Sequence, residues 1–470
     1  MPVLRAAAVL LLVFALASAE EDAFNLGVLG AEGLPQKEGK GGASIRVTAV
    51  LPDGPAKQAG LVEGDVIVGV GTLTLGQTKL PVVYQLVDLL EKASSQKTAK
   101  ASLLVQRAGK RETIPLALPA LGPHSANCPV GCARCEREAA ESLAYLAKAQ
   151  TGDGSFETKY GGTNGQVVVT CLAGLAFLAS GSTPTDGPYA TNIAKAAEYV
   201  EKNCGKEMDF GDMGGGQTGG GNWNQTNWAY AYSPVFLGEI YRLQPSDGLK
   251  AKLEEMMQAI AHNQEQSGGW AHGPGGPNAL GYLELQIVGN WCLCALGTLK
   301  RLGFKVPQGT VDKGVAYAIS TSEGDGGVGY SDREGQKGMG DPGRTAGCIW
   351  AFSLLGLQKN PFYGKMAGFF KRSMDGIPNG HVSPVMHFTA SAFACMHLGA
   401  AYWKQFMDLF RLEILAARRP DGTFSARPTE ESEQLHSNTD REMGPIWTTA
   451  SYALILQLPK GKLATLTSPK

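Results

Sequence analysis

From about residue 139 to residue 458 the chain repeats one unit with a period of roughly 50 residues, the range in which arrays of supersecondary units occur. Each unit is an amphipathic helix, a Gly-rich loop ending in an aromatic residue, and a helix that is apolar on every side. The loops show it best: Gln150-Thr151-Gly152-Asp153-Gly154-Ser155-Phe156, Gln264-Glu265-Gln266-Ser267-Gly268-Gly269-Trp270, Glu323-Gly324-Asp325-Gly326-Gly327-Val328-Gly329-Tyr330 and Pro420-Asp421-Gly422-Thr423-Phe424. Their glycines permit left-handed turns and close backbone approach. The runs 167–179, 285–299, 345–357, 388–401 and 446–456 lack a polar face, so they are buried all round, while 190–200 and 249–261 are amphipathic and belong outside. Weaker units near Trp223 and His381 bring the inner helices to six. Six outer and six inner helices in alternation close into an α/α toroid, and a tail follows over 460–470.

The repeat resembles the terpenoid-cyclase/prenyltransferase toroid, in which Gln…Gly…Trp/Phe loops brace neighbouring hairpins. The resemblance covers about two thirds of the chain and implies a scaffold rather than a reaction. No Asp-x-Asp-Asp run is present, Cys348 lies inside an apolar run although Asp341 is close by, and Cys204-Gly205-Lys206-Glu207 departs from a thioester motif.

Arg5, an apolar run over 6–16 and Ala17-Ser18-Ala19 form a secretory leader over residues 1–19, too short to span a bilayer. The expectation is an exported protein, periplasmic or secreted, with no membrane span after cleavage. A formal net charge of −1 over 470 residues gives no basis for nucleic acid as a partner.

Residues 20–120 form a separate unit. Ser44 to Val50 alternates as a strand, two further strands fall near 101–106 and 113–118, and 82–92 has helical spacing. Gly54-Pro55-Ala56, Ala59-Gly60-Leu61 and Gly64-Asp65-Val66-Ile67 resemble the short-helix and turn signature of bacterial PDZ domains. The resemblance makes Leu26-Gly27-Val28 the carboxylate-binding loop, with Val82 and Val83 on the helix opposite. Such a groove holds a protein C-terminal or internal peptide as an added strand. The competing reading has the glycines only making turns and the chain itself filling the groove. The combination of PDZ domain and helical ring resembles an exported bacterial family of unassigned function.

Nine cysteines leave at least one unpaired. Cys171, Cys292, Cys294, Cys348 and Cys395 lie in apolar runs and read as small buried hydrophobes. The junction 121–138 differs. His124, Cys128, Cys132 and Cys135 place four soft-metal ligands within twelve residues, open to inward packing, a disulfide or a structural zinc site. No other cofactor is expected.

Each Gly-rich loop leads into the N-terminus of an inner helix, so all six N-termini ring one mouth. Their free N–H groups and dipole ends favour an anionic or polar ligand there. Asn164, Trp223, Asn227, Trp270, His272 and Glu284 are rim candidates from the first half of the ring. Arg344, His387, Asp440, Arg441 and Trp447 are those from the second. Asp341 before Pro342 also reads as a plain helix start. Two functions fit. One is a binding or adaptor protein, with the PDZ groove taking a chain end and the mouth gripping a polysaccharide or peptide. The other is a hydrolase or lyase acting on such a polymer, with His381, Asp341 and Tyr330 as its acid, base and orienting group.

Overall fold

The computed structural model describes residues 23–38, 42–206, 225–273, 283–429 and 438–468. The leader at 1–19 and Trp223 lie outside the described residues.

The first domain is an antiparallel sheet. Its strands are β1 (Phe24–Asn25), β2 (Ala31–Glu38), β3 (Gly42–Val50), β4 (Val66–Val70), β5 (Leu73–Thr74), β6 (Lys100–Arg107) and β7 (Lys110–Ala117). They run in the order β1-β2-β3-β4-β6-β7, with β5 hairpinned onto β4. A one-turn helix α1 (Pro55–Gln58) and the amphipathic α2 (Val82–Ser94) complete it. Leu86 and Leu90 of α2 are fully buried with Ile45, Val47, Ile67, Leu103 and Val105 from the sheet. The Gly64-Asp65 turn is an anchor. Asp65 accepts from Arg107 Nε (2.8 Å), Arg107 Nη2 (2.7 Å) and Val62 N (2.9 Å). Burial opposes its charge, yet these donors hold its carboxyl below the ordinary range.

The remainder is the ring that the repeat predicts. Outer helices are α3 (Ala133–Ala149), α5 (Ala190–Asn203), α7 (Asp247–His262), α9 (Gln308–Ser320), α11 (Pro361–Ser373) and α13 (Ala400–Ala417). Inner helices are α4 (Gly162–Ala179), α6 (Thr226–Leu243), α8 (Gln286–Arg301), α10 (Pro342–Leu355), α12 (Pro384–Leu398) and, after a short α14 (Thr439–Met443), α15 (Pro445–Gln457). Each inner helix packs on the next, and α15 packs back on α4, so six hairpins close an (α/α)6 toroid. Inner helix α4 is long and apolar enough to cross a membrane, but 83% of it is buried inside the ring. One boundary moves from the sequence reading. The apolar run 388–401 breaks at Gly399 (φ 97°), where α12 ends and α13 starts one residue later.

The Gly-rich loops close the seams. Gly154 and Gly268 have φ of 92° and 93°, and a Cβ on them would stand 2.3 and 2.4 Å from the carbonyl oxygens of Lys195 and Lys313 on the next outer helices. Gly326 meets Lys365 O in the same way at 2.2 Å, and Gly422 meets Glu141 O at 3.0 Å, where the last hairpin rejoins the first. The leading glutamines repeat one bracket. Gln150 Nε2 donates to Gly154 O and Asn192 O, and Gln264 Nε2 to Gly268 O and Thr310 O, all at 2.9–3.0 Å.

The segment 460–468 packs against the ring. A short helix α16 (Ala464–Thr467) lies across the end of the ring formed by the C-termini of α6, α8, α10 and α12. Leu466 is fully buried. Its N–H donates to Glu239 Oε1 (3.1 Å), and its carbonyl accepts from Trp350 Nε1 (3.3 Å) and lies 2.7 Å from His397 Nε2. The axis itself is filled by rings: Tyr232 stacks on Trp291 (3.9 Å), Trp291 meets Trp350 edge-on (5.2 Å), and Trp350 stacks on Phe393 (4.2 Å).

Candidate functional site: the mouth of the toroid

The six inner N-termini do converge on one mouth, but two of them supply their own anion. Asp341 caps α10, accepting from Arg344 N at 2.7 Å. Asp440, on α14, serves α12: it accepts from Val385 N (3.0 Å) and the Ser383 hydroxyl, and from Trp447 Nε1 of α15 (2.8 Å). Carboxylates at helix N-termini satisfy both the open N–H groups and the dipole. The expected attraction for an external anion is therefore met internally at these two ends.

What the mouth offers instead is an aromatic-lined pocket. Trp228 and Tyr232 of α6, Trp447 of α15 and Tyr160 ahead of α4 form much of its lining, with Met386 and His272. Trp228 Nε1 donates to His272 Nδ1 at 2.9 Å, and Asn227 holds the His272 loop through its N–H to His272 O (3.0 Å) and its Nδ2 to Ala271 O (2.9 Å). Burial lowers His272 to about 4, so it is neutral at pH 7. Burial also raises the Tyr160 phenol to about 12, with Glu442 adding to it. Neither group carries charge near neutrality.

The expected catalytic group is regrouped. Tyr330 and His381 do meet, edge to face at 5.1 Å, with the Arg344 guanidinium 5.6 Å from the Tyr330 ring. Asp341 pairs with His387, whose Nδ1 is 3.1 Å from Asp341 Oδ1. Burial works against the Asp341 charge, but His387 and Arg344 overcome it and hold the carboxyl well below the ordinary range. The His387 ring is wedged where Cβ atoms on Gly343 or Gly380 would stand 2.1 and 2.3 Å from its Nδ1.

Several rim candidates belong to the wall. Trp270 is fully buried and donates to Ile260 O (2.8 Å), so it is a hairpin brace and not a platform. His387 and Asp440 are each 1% exposed, and Arg344 is buried with Nη2 on Met339 O (3.1 Å). Asn164 and Asn227 are likewise buried in hydrogen bonds between hairpins. Arg441 is exposed beside the mouth. Trp228, Tyr232 and Tyr160 escaped the sequence reading. Trp228 adjoins the candidate Asn227 and was the available signal.

The PDZ-like groove faces the ring. Leu26, Gly27 and Val28 are buried, Gly27 to Leu29 forming a single 3-10 turn, and Val83 is buried on α2. Both α2 and this turn pack on the last turns of α13, where Leu412, Leu415 and Ala416 join the first domain's core. Asn25 Nδ2 donates to Ala416 O (2.5 Å) and Arg418 O (2.8 Å), and Leu415 O lies 2.8 Å from where a Gly27 Cβ would stand. The electronegative C-terminal end of a helix thus occupies the loop expected to take a carboxylate. Strand β1 pairs with the start of β2, on the edge where an added strand would lie. Tyr84 of α2 and Arg427 (2.9 Å) both bond Glu413 of α13. Val82 is half-buried at the same contact.

At the junction, His124, Cys128, Cys132 and Cys135 do come together, their ligand atoms all within 4.8 Å of one another. All nine cysteines are free thiols.

Fold and site define a two-domain class: a small PDZ domain docked on an α/α toroid whose mouth holds an aromatic pocket. The chain belongs to the family described as a domain of unknown function (DUF6288), which matches residues 141–465, and a PDZ domain is matched over 46–107. No curated protein matches it. Among solved structures it is similar to an α-1,6-mannanase from Salegentibacter sp. HEL1_6 (9% identity, TM-score 0.47, covering 70% of this chain and 99% of that one). An unsaturated glucuronyl hydrolase from Bacillus sp. GL1 gives 14% identity and a TM-score of 0.46 over 70% and 97% of the two chains. A family 76 glycoside hydrolase from a bovine Bacteroides thetaiotaomicron strain gives 10% and 0.47 over 77% and 83%. No residue role or reaction is carried over from them.

Proposed function

We propose that the toroid mouth is a binding site for an uncharged saccharide segment, met outside the cytoplasm by a chain exported through its leader. The observation that supports it is the pocket lining. Trp228, Tyr232, Trp447 and Tyr160 supply aromatic rings, the side-chain type that packs against the C–H faces of pyranose rings, and neutral His272 adds a polar group. A charged sugar would meet no cation among the described lining residues, and Asp341 and Asp440 already occupy two helix ends. The PDZ domain, in this reading, grips the protein's own helix α13 and fixes the rim instead of fetching a second protein.

Calorimetric titration of the full chain with neutral and with uronate-containing oligosaccharides tests this. Neutral ligands are expected to bind, and Trp228→Ala to weaken them by about tenfold, the order of one lost aromatic anchor. Binding confined to the uronates would refute the reading. A second reading, cleavage of the bound polymer, is favoured by one observation: Tyr160 and His272, a phenol and an imidazole, share the pocket. Mass spectrometry of the same mixtures separates the two. New chain ends that disappear in His272→Ala establish an enzyme, and unaltered ligand establishes a binding module.

A further inference from the structure

The junction between the domains carries a site that the mouth does not use. His124 Nδ1 stands 3.6 Å from Cys128 Sγ, 3.6 Å from Cys132 Sγ and 3.7 Å from Cys135 Sγ. Three sulfurs equidistant from one imidazole nitrogen are not what close packing requires. They are what a tetrahedral ion requires. Zinc–sulfur bonds of about 2.3 Å and zinc–nitrogen bonds of about 2.0–2.1 Å set N and S ligands about 3.6 Å apart at the tetrahedral angle. The tightest edge, Cys128 to Cys135 at 3.1 Å, is far longer than the about 2.05 Å of a disulfide. It would open towards the about 3.8 Å sulfur–sulfur edge of a zinc tetrahedron. The other buried cysteines show no such convergence with a histidine among the described residues.

The chain builds the site from one turn and one helix start. Cys132 is the N-cap residue of α3 and Cys135 lies in its first turn, at the positive end of the helix, which favours thiolates. Ser125 N donates to Cys132 Sγ at 3.4 Å. Behind the ligands lies an orienting shell. His124 Nε2 is 3.7 Å from Glu91 Oε2 on α2, and Glu91 also bonds Arg134 of α3. Arg134 in turn reaches Glu138 (3.1 Å) and Gly122 O (3.2 Å). At 3.7 Å Glu91 stands beyond hydrogen-bond reach of the far nitrogen, on the side from which a carboxylate orients a ligating histidine. Glu91, Arg134 and Glu138 are 6%, 1% and 2% exposed, so this shell is itself buried.

We propose that His124, Cys128, Cys132 and Cys135 bind one structural zinc ion, which fastens helix α2 of the PDZ domain to helix α3 of the ring. Three thiolates and an imidazole in a closed tetrahedron leave no position for substrate, so the ion is structural. Its binding energy adds to the stability of the joint.

The test uses the full chain, purified without chelator, and elemental analysis. About one zinc per chain is expected, falling below about a tenth in Cys132→Ser and in His124→Ala and unchanged in Cys171→Ser, whose thiol lies in the ring. Should the junction variants fail to fold, the unmodified chain decides alone. Stripped and reloaded with cobalt(II), it is expected to show the intense tetrahedral d–d bands and thiolate charge transfer of a site with three sulfur ligands and one nitrogen. Less than about a tenth of an equivalent after incubation with excess zinc and desalting would overturn the proposal. So would the weak bands of octahedral cobalt, or a full equivalent of zinc retained by Cys132→Ser.

Discussion

Asp341 answers two demands with one carboxylate. It caps α10 and it faces His387, which projects from the neighbouring inner helix. Removing it with Asp341→Ala costs the cap, about 1 kcal/mol, and leaves a buried imidazole without its partner, for a total of about 2–3 kcal/mol at pH 7. The sign of the pH dependence follows from its lowered carboxyl. A group acidified by folding contributes stability above its unfolded value, about pH 4, and loses it as pH falls towards the folded value. Urea unfolding at pH 7 and at about pH 3 should therefore show the gap between native and variant chains narrowing in acid. A gap that stays constant would remove the charge from the account. The helix-start role of Asp341 was legible from Asp-Pro alone. Its histidine partner was not, because His387 belongs to another helix and only ring closure brings the two within 3.1 Å.

Gly268 and Gly324 pose a cleaner question at the level of the hairpin. Both have φ near 95°, so an alanine at either bears the same left-handed penalty of about 1 kcal/mol. Only Gly268 abuts another element: a Cβ there meets Lys313 O, whereas nothing lies within 4 Å at Gly324. Gly324→Ala should lose about 1 kcal/mol and Gly268→Ala about 3 kcal/mol or more, since backbone cannot step aside as a side chain can. Equal losses in denaturant titrations would show that the loops only turn the chain and do not brace the next hairpin. The bracing loops and all-apolar helices are the most readable features of the sequence because each is a local pattern, repeated. Helix α6 was faint by comparison. Its loop carries the same signature in Gln217-Thr218-Gly219-Gly220-Gly221-Asn222-Trp223, but the helix mixes polar residues such as Asn227, Tyr230 and Glu239 into its apolar run and contains Pro234. The pocket residues Trp228 and Tyr232 came with it, so the site was fainter than the fold. The break at Gly399 also eluded the pattern, since α12 runs into α13 with no loop to mark it.

For the molecule as a whole, the PDZ domain and the ring form one body. A peptide seeking the groove competes with α13, which is covalently attached and so present at high effective concentration. Its apparent affinity falls by the fraction of molecules with the groove open. Leu415→Arg places a charge in that buried contact. It is expected to tighten binding of a labelled hydrophobic C-terminal peptide by at least about tenfold in fluorescence anisotropy. Unchanged anisotropy in a chain that remains folded would mean that the groove has no peptide affinity to unmask. This docking could not be read from the sequence. Leu412, Leu415 and Ala416 extend the apolar stripe of an ordinary outer helix, and nothing local says which neighbour covers it.

The segment at 463–467 gives the ring its sense of direction. With Leu466 wedged under Trp350 and the axis stacked with Tyr232, Trp291 and Phe393, the toroid is a cup with a base and not a sleeve. A polymer cannot be drawn through it. Whatever enters the mouth must leave by the same door.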